Sequence, residues 1–223
     1  MNQIQGVESA LNRHGWSLMK FTSILDFGCG AGRLSRRLQR LVPDANYFGC
    51  DTDIEAATEA QRGCTEGRFI ANKPWPPLDY ETGQFDLVLS YSVFTNISEA
   101  SHKAWLTELS RVLKNDGVMI HTLHSDEYLR RTESFSPEYL RKYEFSGTVQ
   151  QVIESEKQYH FVSPDHWPDD YGFTVINKDY VLSQWPTFTG LSLVGFEDGA
   201  IESYPEGCQG IAILARESAP RHF

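Results

Sequence analysis

The 223-residue sequence predicts an α/β fold in which helices cover both faces of a largely parallel sheet. Five short apolar segments, nearly free of charge, have the composition of parallel strands buried on both faces. They cover residues 22–27, 46–50, 68–71, 85–90 and 118–123. Helical patterns lie between them, over residues 32–41, 54–61 and 99–113. Strands that alternate with helices predict right-handed βαβ units and therefore a three-layer sandwich.

The stretch before the first strand, residues 1–20, predicts one amphipathic helix, since Ile4, Val7 and Leu11 share a face over residues 4–18. It has no basic region followed by an apolar run, so it does not have the pattern of a signal peptide. No segment approaches the roughly 18 apolar residues that span a membrane. We therefore expect a soluble, cytoplasmic protein with no membrane partner.

Charge and cysteine content restrict the possible partners. The net charge of −10 argues against a nucleic-acid partner, because such binding depends on Lys and Arg that neutralise phosphates. The cysteines are scattered and form no CxxC pair; they are Cys29, Cys50, Cys64 and Cys208. We therefore expect reduced thiols, and neither a metal site nor a disulfide framework.

The turn after the first strand carries the strongest functional signal. Asp26 ends an apolar run, and glycines follow at every second position, at Gly28, Gly30 and Gly32. Glycine adopts positive φ and has no Cβ, so the backbone can turn sharply and a ligand can approach it closely. A strand, such a turn and a helix N-terminus together form a nucleotide-type cofactor site. A tight turn that binds nothing is the alternative.

The glycine spacing separates two classes of cofactor. A dinucleotide fingerprint, GxGxxG, would place its third glycine at position 33, which is Arg33. The observed order, an acidic residue followed by x-GxGxG, resembles motif I of class I S-adenosylmethionine-dependent methyltransferases. Further segments resemble the same family in the same order. They are Asp51, nineteen positions after Gly32, the end of the third strand at Asn72, residues 84–97 and residues 109–118.

The resemblance covers residues 20–124 in register and the end of the chain more loosely. It implies a single domain, residues 1–223, with a Rossmann-like, mostly parallel seven-stranded sheet of order 3-2-1-4-5-7-6 and an antiparallel strand seven. We expect strand six at residues 191–195, extending to 201, and strand seven at 210–216, joined by a turn-rich stretch over residues 204–207. Residues 125–190, rich in aromatic residues, look like an insert on the acceptor side, between strands five and six.

The implied cofactor is S-adenosylmethionine, and the implied product is S-adenosylhomocysteine. Asp51 would accept hydrogen bonds from both ribose hydroxyls; helix capping is its alternative role, which Asp53 fills more naturally. Asn72 stands where the family usually has an acidic residue, and its side-chain oxygen would accept a hydrogen bond from the adenine amino group. The predicted cofactor-binding residues are Asp26, Gly28, Cys29, Gly30, Gly32, Arg33, Asp51, Thr52, Asn72, Ser90 and Tyr91.

The catalytic residues are less well specified. The family's usual histidine after strand four is replaced by Asn96. The candidate bases are therefore His121 and His124, near the end of strand five, of which His124 lies nearer the cleft edge. A structural histidine packed under the insert is the alternative. The predicted acceptor pocket contains Phe94, Tyr159, His160, His166 and Trp167.

The sequence does not identify the acceptor. An oxygen or nitrogen of a small molecule is the leading hypothesis, and an amine acceptor would need no base beyond loss of its own proton. A methyltransferase acting on protein or nucleic acid, and a non-catalytic module that binds the cofactor, are the alternatives. The segment after strand four does not read Asn-Pro-Pro-Tyr, the pattern of enzymes that methylate amino groups of bases.

Overall fold

The computed structural model describes residues 3–131, 158–163, 165–202 and 208–221. Its helices are α1 (Gln3–Arg13), α2 (Arg33–Leu41), α3 (Ile54–Gly63), α4 (Glu99–Val112), α5 (Asp126–Arg131) and α6 (Lys178–Thr189). Its strands are β1 (Ser23–Phe27), β2 (Asn46–Asp51), β3 (Gly67–Ala71), β4 (Phe85–Ser90), β5 (Leu113–Leu123), β6 (Tyr159–Val162), β7 (Phe173–Ile176), β8 (Ser192–Glu202) and β9 (Cys208–Ala215). A 3₁₀ turn, Leu18–Lys20, precedes β1.

Seven strands form one sheet of order β3-β2-β1-β4-β5-β9-β8. The first five are parallel, β9 runs antiparallel to β5, and β8 runs antiparallel to β9. This confirms the predicted order, with β8 and β9 as the predicted strands six and seven. The predicted turn over residues 204–207 lies outside the described residues.

Each face of the sheet packs into its own apolar layer. Successive strand residues point to opposite faces, so Ile24 and Leu87 pack with α1 and α2, whereas Leu25 and Val88 pack with α4 and α6. These strand residues are fully buried. Burying one such side chain contributes about 1.5–3 kcal/mol, so both layers stabilise the sheet whose carboxyl edge carries the site.

Residues 125–190, expected as an insert, contain elements whose bounds the sequence did not specify. They include a two-stranded antiparallel sheet, β6 with β7, and the helix α6, whose Trp185 is fully buried in the α4 layer. The Asn177 side chain caps α6 by accepting from Tyr180 N at 2.9 Å, and Gly190 ends it with φ 66°. Pro186 inside the helix obscured this pattern in the sequence. Residues 132–157 of the predicted insert lie outside the described ranges.

Strand β5 begins earlier than predicted. Leu113 already pairs with Phe85, and an irregularity in the β4–β5 ladder follows before regular pairing starts at Val118. Residues 114–117, between the predicted helix and the predicted strand, are therefore the irregular first part of β5. Within the ranges that the structure covers, no helix combines the length and hydropathy needed to cross a membrane.

Candidate active site

A cavity of about 520 Å³ opens at the carboxyl ends of β1, β2 and β4. Open α/β sheets bind their ligands at this edge. The floor comes from the β1 turn and the end of β2, and the walls come from the segments after β3 and β4 and from α4. Part of the segment before β7 forms the roof. The lining residues are Phe27, Gly28, Gly30, Asp51, Thr52, Asp53, Ala56, Asn72, Pro74, Ser92, Val93, Ile97, Ser101, Trp105, Pro168, Asp170 and Tyr171.

The glycine turn forms the floor because its backbone takes a conformation that favours glycine. Gly28 has φ 72°, and a Cβ there would lie 2.2 Å from Val93 Cγ2. Gly30 has φ 52°, and a Cβ there would meet no atom within 4 Å. Gly28 thus permits close packing against the β4 segment, and Gly30 presents open backbone to a ligand.

Asp51 fixes the turn against β2. One carboxylate oxygen accepts from Gly30 N at 2.7 Å, and the other accepts from Asp53 N at 3.0 Å. Each carboxylate oxygen has two lone pairs, so the group can accept further hydrogen bonds from the cavity. Asp53 caps α3 by accepting from Glu55 N and Ala56 N, as predicted. The two neighbouring carboxylates therefore have different local roles.

Asn72 presents a hydrogen-bond acceptor without a partner. Its Nδ2 donates to Lys73 O at 2.7 Å, and its buried Oδ1 has no hydrogen-bond partner in the described part of the chain. Trp105 Nε1 donates to Pro74 O at 3.2 Å and so holds this loop against α4. A buried acceptor at the cavity wall fits a ligand with an amino donor, such as adenine.

The other predicted cofactor residues do not line the cavity. Asp26 is buried beneath the turn and accepts a hydrogen bond from Ser35 on α2. Burial raises the pKa of Asp26 to about 6, the Ser35 hydrogen bond opposes this, and the nearby Asp51 charge adds to it. The remaining ones are the buried Cys29, Gly32 at the N-terminus of α2, the exposed Arg33, the buried Ser90 and the half-buried Tyr91.

Sequence reasoning missed Ser92, which has the only positive φ, 59°, of a residue other than glycine in the described ranges. Its N donates to Thr122 Oγ1 at 2.8 Å, and its O accepts from Asn96 Nδ2 at 2.8 Å. Its Oγ accepts from Gln209 Nε2 at 2.7 Å. Such a conformation costs about 1–3 kcal/mol and persists where surrounding contacts hold it, often at functional sites.

The roof is attached to the segment between β4 and α4. Asp170 accepts from Ser98 twice, at Oδ1 from Ser98 Oγ (2.7 Å) and at its backbone O from Ser98 N (3.1 Å). Gly172 N donates to Asn96 O at 2.7 Å, and Ile97 and Tyr171 form an antiparallel bridge. The roof is therefore hydrogen-bonded to the cavity wall along its length.

The residues predicted for the acceptor pocket lie near this roof without lining the cavity. Trp167 packs against Tyr171 with ring centroids 5.4 Å apart, and His166 is exposed. Tyr159 and His160 are half-buried on β6, and Phe94 is fully buried. The lining residues Pro168, Asp170 and Tyr171 come shortly after the predicted His166 and Trp167, the local sequence signal nearest to them.

Both candidate bases are buried and neutral. His124 stacks between Tyr128 and Phe173, with centroids 4.0 and 4.8 Å away, and its Nδ1 lies 3.2 Å from Thr174 O. Its Nδ1 carries the proton, since a carbonyl only accepts, and the lone pair is on Nε2. The Nδ1 of His121 lies 2.8 Å from Ser90 Oγ. Burial lowers the pKa of each histidine to about 3.

Comparison with known proteins agrees with this geometry. Residues 24–117 match the family model described as a methyltransferase domain. Over 100 residues the chain is 31% identical to an uncharacterised protein of Methanocaldococcus jannaschii, covering 45% of this chain and 36% of that protein. Over 101 residues it is 30% identical to the malonyl-[acyl-carrier protein] O-methyltransferase of Legionella pneumophila, covering 44% and 35%. The match thus spans little more than a third of either relative.

The fold also matches solved structures. A SAM-dependent methyltransferase of Methanosarcina mazei superposes with a TM-score of 0.61 at 16% identity, over 87% of this chain and 92% of the other. At that identity the likeness concerns the fold. Residues 24–117 are thus similar to methyltransferase domains, and the fold is that of SAM-dependent methyltransferases, a class whose cofactor is S-adenosylmethionine. The residues at the cavity fit that cofactor, with a carboxylate on β2, an amide acceptor after β3 and open glycine backbone between them.

Proposed function

We propose that the chain transfers a methyl group from S-adenosylmethionine to an oxygen or nitrogen of a small-molecule acceptor. The observation that carries the proposal is the cavity with its hydrogen-bonded roof. Its volume of about 520 Å³ lies within the range of roughly 300–1,000 Å³ typical of small-molecule sites.

Three parts of the floor would hold the cofactor. The Asp51 carboxylate, already oriented by Gly30 N, would accept from the ribose hydroxyls. Asn72 Oδ1 would accept from the adenine amino group. The open backbone at Gly30 leaves room for the ligand to approach. The bound sulfonium supplies an activated methyl group, and the protein supplies its alignment with the acceptor at roughly 3–3.5 Å.

The charge of the lining favours a neutral or basic acceptor. Asp51, Asp53 and Asp170 all line the cavity, and no Lys, Arg or His is among its lining residues in the described ranges. A polyanion such as nucleic acid would be repelled here, and the net charge of −10 acts in the same direction. An amine would approach these carboxylates favourably and react once it has lost its proton.

An oxygen acceptor would in addition need a base, and we propose His124 for that role only for an acceptor that reaches past the roof, because His124 is buried and does not line the cavity. Its Nδ1–H is donated to Thr174 O, so the lone pair on Nε2 is the one that can receive a proton. With a pKa lowered to about 3, His124 is neutral at physiological pH but is a weak proton acceptor, so the site suits an amine better than an alcohol. The other candidate base, His121, faces Ser90 at the end of β4 through its Nδ1.

Calorimetry with S-adenosylhomocysteine tests the cofactor site. Asp51→Ala removes the carboxylate that we place on the ribose, and a lost charge-assisted pair of about 3 kcal/mol corresponds to roughly 100-fold weaker binding. Asp53→Asn is the matched control, because asparagine also caps a helix and the fold is preserved. Equal affinities of the two variants would exclude Asp51 from the ribose site.

An acceptor screen tests the reaction. The protein is incubated with S-adenosylmethionine and panels of small amines, alcohols, peptides and oligonucleotides, and mass spectrometry detects the gain of one methyl group. We expect methylation in the small-molecule panels. Methylation confined to peptides or oligonucleotides would overturn the small-molecule proposal, and tight cofactor binding without turnover in any panel would favour a non-catalytic module.

A further inference from the structure

A cluster of buried rings lies beside the segment between β4 and α4, in the layer formed by the sheet with helices α4 and α6. The ring centroid of Phe94 is 4.5 Å from that of His102, 4.9 Å from that of His121 and 5.6 Å from that of Trp185. The Trp185 ring is 5.1 Å from His102 and 5.9 Å from His121. All four residues are fully buried. The cluster therefore places two imidazoles and an indole on neighbouring positions within one buried layer.

One nitrogen of each of these three polar rings has no hydrogen-bond partner among the described residues. They are His102 Nε2, His121 Nε2 and Trp185 Nε1. Buried polar atoms in proteins almost always have a partner, either another protein group or an ordered water. Three such atoms on adjacent rings point to a common ligand rather than to three separate defects.

The other contacts of the rings define what that ligand must offer. Trp185 Nε1 is only a donor. Tyr159 OH donates to Ile97 O at 2.8 Å, so it accepts from His102 Nδ1, 3.3 Å away, and the lone pair of His102 is on Nε2. His121 Nδ1 faces Ser90 Oγ, which both donates and accepts. The ligand must therefore accept at Trp185 and donate at His102.

We propose that this cluster binds a single buried water molecule. Water accepts from Trp185 Nε1, donates to His102 Nε2 and makes its third hydrogen bond with His121 Nε2 in either tautomer. Buried waters typically make about three such bonds. The Trp185 ring lies beside both imidazoles, with ring centroids 5.1 and 5.9 Å apart, so the three unpartnered nitrogens belong to neighbouring rings.

A metal ion fits this site less well. The described residues contain no group of three or more His, Cys, Asp and Glu placed to hold one. Two imidazoles would leave a metal short of protein ligands, and the indole N–H would point its proton at a cation.

The water completes a chain from Tyr159 on β6, through His102, to His121 and Ser90 at the end of β4. This inference is independent of the acceptor and of turnover.

NMR on the ¹⁵N-labelled protein tests the proposal directly. Trp16 is the internal control, because this buried indole donates to a protein carbonyl, Pro220 O, at 3.2 Å. We expect a nuclear Overhauser cross-peak to water at the Trp185 indole N–H and none at the control. Absence of the Trp185 cross-peak, or equal cross-peaks at both indoles, would overturn the proposal.

Two variants separate the water from other sources of the signal. Trp185→Phe assigns the indole resonance by deleting it. Ser90→Ala removes the nearest exchanging hydroxyl on the His121 side, and we expect the Trp185 cross-peak to remain. Its loss in Ser90→Ala would attribute the signal to that hydroxyl and would contradict the buried water. The wild-type measurement decides the question even if a variant fails to fold.

Discussion

The floor and the roof of the cavity are held by different kinds of contact. On the floor, Gly28 N and Cys29 N donate to Cys50 O on the adjacent strand β2, and Asp51 accepts from Gly30 N. The roof depends on the hydrogen bond between Asp170 and Ser98, which are 72 positions apart in the chain. The floor follows from one βαβ unit, whereas the roof requires the whole sheet to be assembled first. A cofactor site built this way can stay constant while the roof differs from one acceptor to another.

Buried groups beneath the floor and at the end of β5 also respond oppositely to acid, and this is the largest effect we expect. The pKa of Asp26 beneath the floor is raised from 3.8 to about 6, so the folded state binds its proton more tightly and gains stability as the pH falls through 6. The pKa values of His121 and His124 are lowered from 6.5 to about 3. For them the unfolded state binds the proton, so stability is lost as the pH falls below 6.5.

The histidines outnumber the aspartate, so we expect a net loss of stability between pH 6.5 and 5. Each shifted group changes the free energy of unfolding by about 1.4 kcal/mol per pH unit in its window, and burial also lowers the pKa of His102. Urea denaturation at pH 7.5, 6.5 and 5 measures this. Asp26→Asn removes the opposing contribution and should steepen the loss. Stability that rises towards pH 5 would contradict the histidine shifts.

The floor is next tested by a pair of glycine substitutions. Both Gly28→Ala and Gly30→Ala place a Cβ in the left-handed region, at a cost of about 1–2 kcal/mol. Only the first also drives that Cβ to within 2.2 Å of Val93 Cγ2, which adds an overpacking cost of about 1–3 kcal/mol. We expect Gly28→Ala to unfold at clearly lower urea concentration than Gly30→Ala. Equal urea midpoints of the two variants would mean that the Val93 side chain moves aside without a measurable cost in stability.

The roof predicts a smaller and more selective effect. Asp170→Asn keeps an oxygen that accepts from Ser98 Oγ but removes one of the lining carboxylates. We expect about tenfold weaker binding of a basic acceptor, corresponding to about 1.4 kcal/mol, with the affinity for S-adenosylhomocysteine unchanged. Calorimetry with the acceptor and with S-adenosylhomocysteine measures the two affinities separately. A parallel loss of cofactor affinity would show that floor and roof are not independent.

The same contrast explains how much the sequence could predict. The glycine turn, Asp51 and the Asp53 cap were predictable because each follows from the local pattern of a strand, a turn and a helix. The strand order followed from the family resemblance. Asp170 and Tyr171 were not predictable, because only the assembled sheet brings them to Ser98 and Ile97. His121 and His124 were identified as candidate bases, and the alternative, a histidine hydrogen-bonded under the insert, describes the contacts of His124 with Thr174 and Phe173.

The smallest effect concerns Ser92, which follows β4 and is hydrogen-bonded to Thr122 on β5 and to Gln209 on β9. Its φ of 59° is unfavourable for any residue with a Cβ, and Gln209 Nε2 donates to its Oγ. Ser92→Gly and Ser92→Ala both remove that hydrogen bond, but only glycine relieves the strain. We expect the glycine variant to be more stable than the alanine variant by about 1 kcal/mol, measured by urea denaturation. If the alanine variant is as stable as the glycine variant, the backbone at position 92 carries no strain in solution, and the three hydrogen bonds to Ser92 serve only to pack the wall.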